Sequence, residues 1–92
     1  MVKTKEFNPF EFMESQAEID AFLLECYEDE DPNTFVTALG HLAKQHGMTE
    51  VAKAAGLSRE SLYKAVNGKV QPKWYTIHRL MRVLGVRLTI AA

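Results

Sequence analysis

Cysteine is nearly absent. Cys26 stands alone in 92 residues, which excludes an internal disulfide framework and a cysteine-based metal cluster and suits a reducing compartment such as the cytosol. Proline is restricted to Pro9, Pro32 and Pro72, and no Gly/Ser linker, repeat or low-complexity tract divides the chain. A chain this short has too little interior for two cores, so one compact domain is expected. No apolar run approaches the ~20 residues of a membrane helix, and the opening MVKTKEFNPFEFMESQ has no stretch that reads as a signal peptide. The expectation is a soluble, cytoplasmic protein with no membrane partner.

A cationic surplus is also missing. The net charge of −1 argues on average against nucleic acid, whose binders usually carry excess positive charge. The charges are segregated, however. Residues 1–34 hold two lysines against ten acids, net −8, whereas residues 35–92 hold nine Lys or Arg against Glu50 and Glu60, net +7. Within one domain, this separates an acidic N-terminal arm and helix (1–34) from a basic part (35–92). Such a split reflects either solvated helix faces or a division between a partner-facing segment and a nucleic-acid-facing one.

What is abundant is helical periodicity. Ser15 and Glu18 have capping-box spacing, and Ile19, Phe22, Leu23, Cys26 and Tyr27 follow on one face of a first helix expected to end near Asp29. Asp31 and Pro32 signal a second start. Phe35, Leu39, Leu42, Ala43 and His46 repeat inward along that helix until Gly47 stops it. Thr49 is expected to cap a short third helix, EVAKAA, that stops at Gly56. Ser58 is expected to cap a fourth, RESLYKAVN, with Leu62, Ala65 and Val66 inward. A fifth buries Ile77, Leu80, Met81 and Leu84 and closes at Gly85. The tail VRLTI alternates in the manner of a half-buried strand. The predicted fold is therefore all-α, a five-helix bundle with a short C-terminal β-strand.

Between the third and fourth helices lie only Gly56, Leu57 and Ser58. Small Ala52 and Ala55 at the crossing, a glycine free to take positive φ, and a leucine to plug the turn suit a helix-turn-helix. Two consecutive packed helices of an ordinary bundle remain the competing account. The segment resembles the Cro/repressor type of helix-turn-helix domain through Ala52, Gly56, Leu57 and Ser58, then Asn67, Gly68 and Pro72, then Leu84, Gly85 and Val86. Over residues 7–90 the chain resembles the addiction-module antidote proteins, HigA-like antitoxins often described as prophage DNA-binding proteins. It departs from the repressor pattern at the third helix, where Thr49 is followed by Glu50, Val51 and Ala52 rather than by a phosphate-contacting Gln.

The resemblance implies that side chains on the fourth helix reach base edges. Ser58, Arg59, Glu60, Tyr63 and Lys64 are the candidates. Arg59 is suited to the guanine O6/N7 edge and Glu60 to cytosine N4, although Glu60 has an equally good alternative in a salt bridge to Lys64 at i+4. Thr49, Ser61, Asn67, Lys69, Lys73 and Arg79 are candidate phosphate contacts that would fix register without reading sequence, a solvated cationic face being the alternative. The family further implies a small basic toxin of the RelE/HigB type and repression of the protein's own operon. Glu25, Glu28 and Glu30 are the toxin-contact candidates, since their charge complements a cationic partner. Val86, Leu88 and Ile90 are expected to pair as a strand, with a second subunit of a homodimer, with Lys3 to Phe7 of the same chain, or with the toxin. A homodimer would read an operator inverted repeat in duplex DNA.

Other chemistry is poorly supported. His41 and His46 are five apart and no ligand set accompanies them or His78, so no metal is expected. Cys26 lies on an apolar face without a base beside it, and Trp74 and Tyr75 are expected to pack the last helix onto the core. No cofactor and no enzymatic activity are anticipated. The alternatives to an antitoxin are a prophage transcriptional regulator without a toxin and an adaptor that binds protein only.

Overall fold

The computed structural model describes residues 7–90. These form five helices: α1 (Gln16–Tyr27), α2 (Pro32–His46), α3 (Met48–Ala55), α4 (Arg59–Val66) and α5 (Trp74–Leu84). The capping chemistry sets most boundaries. Ser15 Oγ accepts from the Glu18 N–H at 3.2 Å, while the Glu18 carboxylate reaches back to the Glu14 N–H at 3.3 Å, one residue earlier than a standard capping box. Asp31 accepts from the Asn33 N–H at 2.9 Å, and Pro32 takes the first position of α2. The first helix stops at Tyr27, two residues short of Asp29, with Glu28 as its cap.

Around the long α2, both α1 and α3 to α5 pack, with α5 also lying on α3. Leu39 of α2, Leu62 of α4 and Leu80 of α5 are completely buried, each worth about 1.5–3 kcal/mol of apolar transfer. Gly40 lets α4 approach closely, since a Cβ there would lie 2.9 Å from Val66 Cβ. The segment before α1 is also part of the core. Phe10 is buried and meets Phe22 edge-on at 5.4 Å. Asn8 fixes it in place by donating to the His41 carbonyl at 2.8 Å and accepting from the Phe10 N–H at 3.0 Å.

Further expectations are corrected. Tyr27 and His46, expected on the inward faces of α1 and α2, are exposed. The third helix begins at Met48, not after a Thr49 cap. Met48 is buried, the Val51 N–H bonds the Gly47 carbonyl at 3.0 Å, and Thr49 falls inside the first turn on the exposed side. Burial of one large side chain outweighs the modest gain from a threonine cap.

The segment Val86 to Ile90 forms no strand among the described residues. The Val86 N–H instead closes α5 onto the Met81 carbonyl at 2.8 Å behind left-handed Gly85, and among the described residues no neighbouring strand offers its remaining backbone a ladder. Of the partners considered for it, Lys3 to Glu6 lie outside the described residues.

Trp74 and Tyr75 do not pack the core: they are 62% and 65% exposed. The inward stripe of α5 is filled by Ile77, Leu80, Met81 and Leu84, and the two rings pair instead with His78 and Arg79 one turn on.

Candidate nucleic-acid interface

Helix α3 ends where Gly56 takes φ 71°, ψ 30°, a left-handed conformation that suits glycine. The Leu57 N–H then bonds the Ala52 carbonyl at 2.9 Å, turning the chain sharply. Ser58 restarts it, its Oγ accepting from the Ser61 N–H at 3.0 Å and donating to Ser61 Oγ at 2.8 Å. Both serine hydroxyls are therefore used in capping α4, though their exposure leaves lone pairs available.

With Leu62 and Val66 turned into the core, α4 presents Arg59, Glu60, Tyr63 and Lys64 outward. These four are organised as two i+4 pairs. The Arg59 guanidinium lies 5.5 Å from the centre of the Tyr63 ring and donates to its hydroxyl at 3.3 Å. That contact restrains a long side chain, lowering the entropy lost if it later engages a ligand. Lys64 Nζ stands 3.8 Å from Glu60 Oε1, with both side chains more than 70% exposed. Such a pair contributes a few tenths of a kcal/mol and opens readily. The face thus offers a forked donor, a carboxylate acceptor, a hydroxyl and an ammonium group along one short helix.

The flanking candidates fall into two groups. Asn67, Lys69 and Lys73 are exposed in or beside the connection that follows α4, where Asn67 Oδ1 accepts from the Lys69 N–H at 2.8 Å. Arg79 is held from below. Its Nη1 donates to the Ala55 carbonyl at 3.0 Å, and the guanidinium lies 4.7 Å over Tyr75. It therefore satisfies the Ala55 carbonyl at the C-terminal end of α3, beside the α3–α4 turn. Sequence reasoning missed this structural task, since no local pattern connects positions 24 residues apart. Thr49 sits exposed on the first turn of α3, away from the α4 N-terminus in sequence but on the same two-helix unit.

The acidic candidates Glu25, Glu28 and Glu30 are all exposed around the end of α1. Between them, Cys26 is buried, and its thiol is pushed above its ordinary value by that burial, then by the neighbouring carboxylates of Glu25 and Asp29. Among the described residues, no three His, Cys, Asp or Glu side chains converge as a metal would require. The rings and backbone of the histidines serve locally: His46 Nδ1 is 3.1 Å from the Leu42 carbonyl oxygen, and His41 uses its carbonyl to hold Asn8. Among the described residues, no helix is long and apolar enough to cross a membrane.

No solved structure matches the chain. A protein of Haemophilus influenzae described as uncharacterized is 33% identical over 86 residues, covering 94% of this chain and 89% of its own length. Residues 3–92 match the family model described as probable addiction module antidote protein, and with nearly its whole length covered the chain belongs to that antidote, or antitoxin, family.

Proposed function

We propose that the protein is the antitoxin of a two-component addiction module that represses its own operon, and that it works in the cytoplasm without catalytic activity. In this reading α3 and α4 are a Cro/repressor-type, HigA-like helix-turn-helix. Helix α4 enters the major groove, where Arg59 and Glu60 read a G·C pair and Ser58, Tyr63 and Lys64 supply the remaining edge contacts. Thr49, Ser61, Asn67, Lys69 and Lys73 hold phosphates, joined by the donors of Arg79 that the Ala55 carbonyl does not use. The observation that carries the reading is the outward face of α4, four polar side chains arranged in two i+4 pairs on a helix whose opposite side is core.

The toxin is a small basic ribonuclease of the RelE/HigB type, engaged at least in part by residues 1–34. The family membership supports a toxin partner, and the segregated charge supports the side on which it docks. The working unit is a homodimer, so that two α4 helices address successive half-sites of an inverted repeat. Co-expression with the neighbouring gene, purification of the complex and a footprint on the shared promoter test the whole reading. A co-purifying basic protein and a protected inverted repeat are expected. A chain that purifies alone and protects nothing contradicts it.

A further inference from the structure

We infer that the groove between α1 and the segment after α5 is the homodimer interface, occupied by the same surface of a second copy. The inference deepens the dimeric reading above and rests on it. The groove encloses about 600 Å³ between α1 and residues 85–89, with Leu24, Tyr27, Phe35 and Leu88 among its lining. Leu24 and Tyr27 are each 58% exposed, Leu88 50% and Ile90 93%. Ala17 and Ala21 continue the exposed apolar strip along α1. A helix in a small soluble domain normally keeps such residues on one side, and α1 already uses Ile19, Leu23 and Cys26 for the core. Within one chain Tyr27 meets Phe35 edge-on at 5.5 Å, yet Tyr27, Leu24 and Leu88 stay at least half exposed, an apolar strip that the fold of one chain leaves open to water.

Charge identifies the occupant. Asp20 stands on the α1 wall of the groove and Arg87 on the opposite wall. Asp20 accepts from Gln16 at 2.9 Å, and among the described residues it makes no ion pair with Arg87. A surface with Asp20 on one wall, Arg87 on the other and a partly apolar floor between them is complementary to itself under a two-fold rotation about an axis along the groove, which sets Asp20 of each copy against Arg87 of the other. A purely basic partner would instead meet Arg87 as a like charge. The same arrangement covers the backbone of residues 87–90, for which no hydrogen bond is recorded among the described residues.

Sedimentation equilibrium of the full chain and of Asp20→Arg, Arg87→Asp, the double exchange and Leu24→Glu tests this, with circular dichroism confirming the helical content of each. All the substituted positions are exposed, so folding is expected to survive. Because each substitution acts twice across a two-fold, either single charge reversal is expected to weaken dimerisation by roughly tenfold or more, and the double exchange to restore most of it. Leu24→Glu is expected to yield monomer. A wild-type chain that stays monomeric overturns both the groove and the dimeric reading. A dimer indifferent to all four variants overturns the groove alone, including the case in which those variants lose toxin binding or in which residues 1–6 fill the site.

Discussion

Arg79 and Cys26 show how a single side chain is constrained by what surrounds it. Arg79 joins the end of α3 to α5 through its bond to the Ala55 carbonyl, and a Cβ on Gly56 would come within 3.0 Å of its Nη1. Arg79→Ala is therefore expected to lower stability by about 1 kcal/mol, the worth of one hydrogen bond in a part-exposed setting. Urea titration would show a lower midpoint with an unchanged slope. An unaltered midpoint would mean the contact contributes nothing and would leave Arg79 entirely to phosphate.

Cys26 is protonated more tightly in the native state than in the unfolded chain, because burial and two nearby carboxylates all disfavour the thiolate. Its contribution is complete below the free thiol value of about 8.5 and is lost as pH rises from there through the native value. Unfolding free energy measured at pH 8 and pH 10 should thus fall more for the wild type than for Cys26→Ala. An identical fall in both proteins would refute the linkage.

At the scale of the helix, the close approach of α2 and α4 depends on Gly40. A methyl group there would lie 2.9 Å from Val66 Cβ and 3.0 Å from its Cγ2 and carbonyl oxygen. Gly40→Ala should cost about 1–3 kcal/mol through overpacking and lower Tm by several degrees. Val66→Ala in the same chain should recover part of that loss, as coupled neighbours do. Additive losses in the double variant would show that the two helices do not meet as described.

Gly40 was not legible beforehand, because a mid-helix glycine signals close packing only once its neighbour is known. What was legible was local: Ser15, Asp31 and Ser58 as caps, Gly47, Gly56 and Gly85 as stops, and the inward stripes of α2 (apart from exposed His46), α4 and α5. Each of those signals lies within a few residues of the structure it specifies. The start of α3 at Met48, the packing of Phe10 and the fate of VRLTI depend on distant partners. Alternation at Val86, Leu88 and Ile90 resembles a strand only while nothing asks what it would pair with. The outward set on α4 could be read from the register of Leu62 and Val66, whereas the pairing of Arg59 with Tyr63 required rotamers.

Across the whole molecule, the acidic and basic candidates stand on different helices. Glu25, Glu28 and Glu30 cluster at the end of α1, while Arg59 and Lys64 project from α4. Reversing the three glutamates to lysine is expected to weaken toxin neutralisation while leaving operator affinity unchanged or slightly raised, since cations replace charges that repel DNA. Binding titrations against each partner would reveal this, and parallel loss of both would remove the functional separation. Truncating residues 1–14 would be a less specific test, since it also takes Phe10 from the core.

The reading of duplex DNA by α4 carries the proposed function. Its most direct test is a quantitative footprint on the promoter shared with the neighbouring gene, comparing the wild type with Arg59→Ala and Lys64→Ala at several salt concentrations. A protected inverted repeat is expected. Arg59→Ala should lose about 1–3 kcal/mol and its preference at one base pair of each half-site. Lys64→Ala should lose affinity as well, and both variants should keep wild-type helical content. Unchanged protection and unchanged base preference in both variants would contradict it.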